Sequence, residues 1–226
     1  CSADATNATN TTLSFQPGRT LTTGTLANID NSRLLVSGAQ VFGNVSDSSY
    51  VLDRNDFNTA VAMLSADGTG SQLNLASISN INIVRGNNFD TYVVHASNNG
   101  LVNLSGLTTV TTNQADFVDY VDFLSESGGS INLSNLANVT QTRFRTNSGT
   151  QSLPLLANAA NTDFTLGNNA TINAPTLNSI SVSTIALGSS AIMNVVALNS
   201  ITRSSLTLGT AANFNAPNLT NATNTT

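Results

Sequence analysis

Acidic side chains in the middle of the chain are the residues best suited to chemistry. In the repeat frame set out below, Asp56 and Asp116 occupy the same position, each immediately before a phenylalanine. Ca²⁺ prefers carboxylate oxygens as ligands, so the two residues are a candidate calcium site between successive repeats. The chain lacks the glycine-aspartate nonapeptide of repeat calcium binders, and an acidic edge in contact with water would explain the same residues.

The same carboxylates could instead form the acid and nucleophile pair of a polysaccharide-cleaving enzyme. Other catalytic residue types are scarce, because all seven basic residues are arginine and His95 is the single histidine. No Ser/His/Asp arrangement or nucleophile-elbow spacing occurs either. His95 lies in an alternating segment, where an ordinary surface or lining role is expected. We therefore expect no enzymatic activity and no cofactor, calcium excepted.

Cys1 is the single cysteine, so no disulfide can form within the chain. The small polar run "SADATNATNTT" follows it, as at the mature N-terminus of a bacterial lipoprotein, which makes Cys1 a candidate lipid attachment site. Alternatively, the residue follows an ordinary signal cleavage or is simply where the numbering starts. Both alternatives favour an extracellular or cell-surface location, with membrane contact only through a lipid on Cys1.

Composition excludes several classes of partner. Only 8% of the 226 residues are charged, and the formal net charge is −5. Without a basic cluster, binding to nucleic acid or to an anionic membrane surface is not expected. There is no run of 18 apolar residues of the kind that crosses a bilayer. The apolar content of 40% can still supply the core of one domain.

A structural repeat runs through the whole chain. The heptamer "TNATNTT" occurs at residues 6–12 and again at 220–226, and such a match indicates a repeat. Stepping back from Leu219 finds ten copies of one short motif, spaced by about 21 residues at both ends and by up to 36 in the middle. The first residues of the motif, called anchors here, are Ala5, Leu26, Phe42, Ile78, Leu107, Leu136, Leu156, Leu177, Leu198 and Leu219.

Apolar residues alternate with polar ones on both sides of each anchor. Leu73 and Leu75 are a pair before an anchor, and Phe164 and Leu166 are a pair after one. Such alternation predicts short strands with one buried face. We predict an all-β parallel β-solenoid, a right-handed β-helix under the usual crossover rule, of about ten coils and about 48 Å in length. A leucine-rich-repeat horseshoe is the rival fold, although two strand pairs per repeat leave little room for its helical side.

Corners and insertions complete this frame. Glycine follows the second strand at positions 167, 188 and 209, where we expect corners with positive φ. Residues 42–136 depart from the 21-residue spacing and carry an insertion in three coils, as in "NDFNTAVAMLSADG". Its alternating residues predict an added or lengthened strand and therefore widened coils. Residues 1–4 are expected to be a flexible linker before a single domain.

Two columns of asparagine recur in the frame. The first stands two residues after the anchor, and we expect an inward-facing structural ladder whose amides bond to each other, since an unpaired buried amide costs about 1 to 3 kcal/mol. It comprises Asn7, Asn28, Asn44, Asn80, Asn138, Asn158 and Asn221. The second stands four residues before the anchor between inward-facing neighbours, so it should face water. It is either a solubilising ladder or a flat binding array, and comprises Asn74, Asn103, Asn132, Asn173, Asn194 and Asn215.

The segments "INLSNLANV", "LNLASISNI" and "VNLSGLTTV" resemble the bacterial β-strand-repeat surface proteins, which are adhesin-like solenoids rich in Ser, Thr and Asn. The likeness is one of pattern and covers nearly the whole chain. It implies an exported protein concerned with adhesion, envelope structure or matrix. It carries over no site residue, because that class shares no active site.

Neither end of the repeat array shows the atypical capping repeat that usually closes a solenoid. The chain is therefore expected to be either a piece of a longer repeat protein or a subunit whose last coil stacks on the first coil of the next copy. We predict a non-enzymatic structural protein that assembles head to tail into a filament or surface layer. The alternative is a monomeric adhesin or polysaccharide-binding module.

Overall fold

The computed structural model describes residues 6–17, 24–54, 60–85, 90–112 and 119–226, and every helix or strand among them is a β-strand. In chain order the strands are β1 (Thr12–Phe15), β2 (Arg33–Ser37), β3 (Val41–Phe42), β4 (Ser49–Asp53), β5 (Ala60–Asp67), β6 (Gln72–Asn74), β7 (Asn80–Arg85), β8 (Thr91–Ser97), β9 (Leu101–Asn103), β10 (Thr109–Thr112), β11 (Tyr120–Ser125), β12 (Ser130–Asn132), β13 (Asn138–Thr146), β14 (Thr150–Ser152), β15 (Asn158–Leu166), β16 (Thr171–Asn173), β17 (Ser179–Ser181), β18 (Thr184–Leu187), β19 (Ile192–Asn194), β20 (Ser200–Thr202), β21 (Ser205–Leu208), β22 (Asn213–Asn215) and β23 (Asn221–Thr223).

Each strand pairs in parallel with its equivalents one coil away, so the chain winds through three faces. Face A holds β3, β6, β9 and β12, then β14, β16, β19 and β22 in a second sheet. Face B holds β4, β7, β10, the first parts of β13 and β15, and β17, β20 and β23. Face C holds β1, β2, β5, β8, β11, the second parts of β13 and β15, and β18 and β21. The predicted parallel β-solenoid is confirmed, and the horseshoe is wrong for the part of the chain described.

The core is built from files, meaning sets of equivalent residues in successive coils. On face A, Leu73, Val102 and Ile131 belong to one file and are at most 5% exposed. On face C, the ring of Phe144 stacks between Phe123 at 5.5 Å and Phe164 at 5.4 Å. Each coil therefore buries its apolar side against its neighbours rather than within itself, as the repeat pattern predicts.

The register of the third coil differs from the expected one. Phe42 pairs with Leu73, which places it five residues before an anchor rather than at one. Ser49 pairs with Asn80, so this motif begins at Asp47 and Asn44 does not belong to the first asparagine column. The expected 36-residue step was therefore wrong. Paired strand residues in successive coils lie between 20 residues apart, as for Asn138 and Asn158, and 32 apart, as for Asp53 and Arg85.

The glycines after face C have a different role from the expected one. A Cβ on Gly167 would lie 2.5 Å from the backbone oxygen of Asn147, and one on Gly209 would lie 2.8 Å from the carbonyl carbon of Gly188. Glycine is therefore needed for close approach of successive coils. The positive φ angles belong to residues two positions later, namely Asn169, Ser190 and Ala211.

The corner between faces B and C carries buried hydroxyl groups in the narrow coils. Ser183 donates its hydroxyl to the carbonyl of Ser181 at 2.8 Å and accepts the backbone N–H of Thr162 at 3.1 Å. Each such residue follows one with positive φ, as Ser183 follows Val182. This arrangement, called the hydroxyl file here, links successive corners and comprises Ser32, Thr142, Thr162, Ser183 and Ser204.

In the middle of the chain this corner is extended. The extensions connect β4 to β5, β7 to β8 and β10 to β11, and residues 55–59, 86–89 and 113–118 within them lie outside the described part. The alternating segments of the insertion are face C strands, because β5 pairs with β2 and β11 pairs with β13. They are lengthened, with eight residues in β5 against four in β18, and among the described residues they add no fourth file of strands.

Face A is interrupted between β12 and β14, which belong to different sheets. Gln151 occupies an otherwise apolar file at this point and is only 4% exposed. Its amide donates to the carbonyl oxygen of Ile131 at 3.1 Å, so a side chain supplies the hydrogen bond that connects the two coils here.

Candidate binding cleft on face C

A cleft of about 370 Å³ on the outer side of face C is the strongest candidate site. It runs across the strands that lead from the wide coils into the narrow ones. Its lining combines two carboxylates, two guanidinium groups and two threonine hydroxyls. The lining residues are Ala60, Thr91, Asp122, Arg143, Arg145, Asp163 and Thr165.

Strand register brings these charges together. Asp122 pairs with Arg143 and Arg143 pairs with Asp163, so three charged residues of alternating sign form one outward file across β11, β13 and β15. Inward-facing phenylalanines adjoin them along each strand, as Phe144 lies between Arg143 and Arg145. The alternation of a β-strand thus turns the arginines outward above the stacked rings.

Asp122 and Arg145 form the most buried ion pair of the cleft. Nε of Arg145 donates to Oδ1 of Asp122 at 2.9 Å, and Nη2 contacts Oδ2 of the same carboxylate. The Asp122 side chain is 1% exposed, whereas that of Arg145 is 37% exposed. Burial raises the pKa of Asp122, while hydrogen bonding and the charge of Arg145 act in the opposite direction.

Arg143 is held by three groups. Its Nε lies 3.6 Å from Oδ2 of Asp163, and its Nη1 donates to the hydroxyl of Thr91 at 3.3 Å. The guanidinium carbon lies 3.7 Å from the ring centroid of Tyr120, in the geometry of a cation–π contact. Desolvation raises the pKa of the Tyr120 hydroxyl. Arg143 and Asp163 remain 34% and 28% exposed, so both can reach a ligand.

His95 lies beside the cleft, in the same outward file as Arg145. Its Nε2 lies 2.9 Å from Oε1 of Glu126, whose other oxygen accepts from the side chain of Asn147 at 3.2 Å. The ring is 24% exposed.

Two buried carboxylates lie at the base of the extensions. Asp90 and Asp119 are both 0% exposed, and the backbone N–H of Asp90 donates to Oδ1 of Asp119 at 2.7 Å. The second oxygen of Asp119 has no hydrogen-bond partner among the described residues. Desolvation raises the pKa of Asp119, and the nearby charge of Asp90 acts in the same direction.

The second asparagine column lies on the outside of face A, where its residues are exposed or half-buried. Asn103 donates to Asn74 at 2.8 Å, and Asn194 donates to Asn173 at 2.7 Å. Most of these amides are in register with a neighbour one coil away. The residues of this column are the ones that the repeat frame predicts, namely Asn74, Asn103, Asn132, Asn173, Asn194 and Asn215.

The first asparagine column does not face inward as expected. Asn28 and Asn80 are half-buried, and Asn7, Asn138, Asn158 and Asn221 are exposed. The reason is alternation, because the next residue of each strand, such as Ile81, fills the core. These residues do lie in register on face B, and some of their side chains bond along it, as when the Ser179 hydroxyl donates to Oδ1 of Asn158 at 2.9 Å.

Cys1, Asp56 and Asp116 lie outside the described residues, so the lipid and calcium hypotheses remain predictions. Within the described ranges, no cluster of three or more His, Cys, Asp or Glu side chains is placed to hold a metal ion. Those ranges also contain no helix long and apolar enough to cross a membrane.

Sequence reasoning missed the cleft. Arg143 and Arg145 belong to the segment "QTRFRT", whose alternation indicates two adjacent outward cations, and Asp163 follows 20 residues later in the equivalent strand. That signal predicts a charged patch on face C. The contribution of Thr91 and Asp122 depends on register across the extensions, which the sequence alone does not define.

No family model, curated protein or solved structure matches this chain.

Proposed function

We propose that this chain is a non-enzymatic structural protein of the cell surface or extracellular space, whose solenoid rods join end to end into a filament or surface layer. The single observation that carries the proposal is the parallel stacking of coils in matching register from β1 to β23. A β-solenoid coil is stable when both of its sides are covered by coils of matching register, and a second copy of the chain offers such a coil.

Apolar side chains between β21 and β23 are suited to such a contact. Leu206, Phe214 and Leu219 pack against the core but are only partly buried. Their equivalents one coil earlier, such as Ile185 and Met193, are 0% exposed. Full burial of a Leu or Phe side chain contributes about 1.5 to 3 kcal/mol, so covering this coil would be strongly favourable.

A second copy of the chain is the occupant that we propose. The heptamer "TNATNTT" places Asn7 and Asn221 at equivalent positions on face B, so the first described coil has the shape and register of a coil that follows β23. Stacking of this kind is a head-to-tail contact that does not close, and it therefore produces open fibres. Polysaccharide of the surface is the further partner that we propose, and a lipid on Cys1 would supply any membrane attachment.

The extracellular assignment and the absence of enzymatic activity rest on composition and on the cleft. The chain is rich in Asn, Thr and Ser, contains no lysine and carries little charge. In the cleft, the carboxylates of Asp122 and Asp163 are engaged by arginines, so neither is free to act as a nucleophile.

Negative-stain electron microscopy and sedimentation of the 226-residue chain test this proposal. We expect uniform fibres, and we expect Phe214→Arg to abolish them because it places a charge in the stacking contact. Leu155→Arg is the matched control, since Leu155 is an exposed leucine (49%) on the side of the rod. A monodisperse monomer at high concentration, or equal loss of fibres in both variants, would contradict end-to-end assembly.

The second candidate function is a monomeric adhesin or polysaccharide-binding module. The cleft on face C favours it more specifically than the asparagine column of face A, because the cleft is concave and combines opposite charges. Binding of a polysaccharide by a protein that stays monomeric would support this alternative.

A further inference from the structure

We propose that the cleft on face C binds a neutral saccharide unit of a surface polysaccharide. The ligand class follows from the polar groups that converge there and from their charge balance. This inference does not depend on end-to-end assembly, because every contributing residue lies on the side of the rod.

The charges of the cleft cancel. Arg145 is neutralised by Asp122 and Arg143 lies beside Asp163, so an approaching anion meets two carboxylates as well as two guanidinium groups. Binding a phosphate or a uronate would require an arginine to leave its carboxylate. That exchange is costly for Arg145, because it would leave the buried Asp122 unpaired.

A neutral polyol needs no such exchange. Each sugar hydroxyl is both a donor and an acceptor. The cleft presents the carboxylate of Asp163, whose Oδ1 also accepts the backbone N–H of Thr184 at 3.0 Å, next to donors on Arg143 and Arg145. The exposed fractions of these three side chains, 28%, 34% and 37%, leave part of each group free to reach a ligand. Hydroxyls of Thr91 and Thr165 and the methyl group of Ala60 complete the wall.

The site is also rigid and large enough. Its volume of about 370 Å³ falls within the range typical of small-molecule sites. The side chains stand on paired strands, and Thr91 and Tyr120 hold Arg143 in place. Little ordering is therefore required on binding, which favours affinity for a weakly interacting ligand such as a sugar.

Calorimetric titration of the whole chain with three probes tests the inference: a β-linked glucose oligosaccharide, an N-acetylglucosamine oligosaccharide and an oligogalacturonate. We expect binding of at least one neutral oligosaccharide and not of the oligogalacturonate. Asp163→Ala removes an acceptor and should weaken that binding about tenfold, the loss typical of a hydrogen bond to a charged group.

A matched pair of variants localises the binding. Thr165 and Thr207 lie in the same outward file of face C, but only Thr165 lines the cleft. Thr165→Tyr should fill the cleft and abolish binding, whereas Thr207→Tyr should leave it unchanged. Circular dichroism and thermal unfolding verify that both variants fold.

Three outcomes would overturn the inference: no binding of either neutral oligosaccharide, preferential binding of the oligogalacturonate, or equal binding by the two tyrosine variants. The Phe214→Arg variant separates this proposal from the previous one. It should lose fibres and keep saccharide binding, whereas Thr165→Tyr should keep fibres and lose binding.

Discussion

The corner between faces B and C is built in two ways, and the candidate site takes residues from both of the regions that this difference defines. In the narrow coils after residue 138, a residue with positive φ and a buried hydroxyl close the corner within a few residues, as Val182 and Ser183 do. In the wide coil of β7, the residue four positions after Asn80 is Val84, which has no hydroxyl group and is 40% exposed. The hydroxyl file therefore marks where the corner is tight, and the cleft lies where wide and narrow coils meet.

The junction of the two regions should be the most sensitive point. Phe144 is 0% exposed and stacks between Phe123 of the last wide coil and Phe164 of the next narrow one. Phe144→Ala should lower the free energy of unfolding by about 3 to 5 kcal/mol, because it leaves a cavity between the rings. Urea unfolding followed by circular dichroism measures the change, and a loss below about 1 kcal/mol would show that the aromatic stack does not join the regions.

The hydroxyl file should matter only where it closes a corner. Ser183→Ala leaves the N–H of Thr162 and the carbonyl of Ser181 without their partner, so we expect a loss of about 1 to 3 kcal/mol. Val84→Ser introduces a hydroxyl at the equivalent position of a wide coil and should change stability by less than about 0.5 kcal/mol. Equal effects of both substitutions in urea unfolding would contradict the distinction drawn between the two corners.

The buried carboxylate of Asp119 should give the wide coils a pH dependence of their own. Its pKa is raised in the folded state, so the native protein holds the proton more tightly than the unfolded chain does. The folded state is then favoured below the unfolded pKa and loses this contribution as the pH rises through the folded pKa. The Asp119→Asn variant lacks this titrating group. We therefore expect the free energy of unfolding of the variant, relative to that of the wild type, to increase from about pH 4 upward. If urea unfolding gives the same difference in free energy between the variant and the wild type at every pH, this prediction is wrong.

Alternation and spacing predicted the fold because they report which side chains face the core. The apolar pairs around each anchor, such as Leu73 and Leu75, are buried where the pattern places them. The same rule, applied to the first asparagine column, indicates an outward direction, since Ile29 follows Asn28 and is 0% exposed. The expected inward ladder gave too much weight to the recurrence of asparagine and too little to alternation.

The remaining errors arose where register crosses an irregular coil. Phe42 resembles an anchor in its local sequence, and its pairing with Leu73 depends on the length of the following extension. The Gly167 position was expected to need positive φ, but the approach of Asn147 in the preceding coil requires the glycine. Asp122 and Arg145 meet only because β11 and β13 pair in one register. Contacts between coils of unequal length depend on the register in which the two coils pair, and the sequence of one coil does not define that register.

The regular coils that follow the cleft are built from a part of the chain separate from the residues that line it. The chain beyond Leu187 repeats every 21 residues and supplies no residue that lines the cleft. Duplication or deletion of one of these 21-residue units would alter the length of the rod and leave the lining of the cleft unchanged. The number of regular coils and the lining of the cleft are therefore determined by different parts of the chain, so one can change in evolution while the other stays the same.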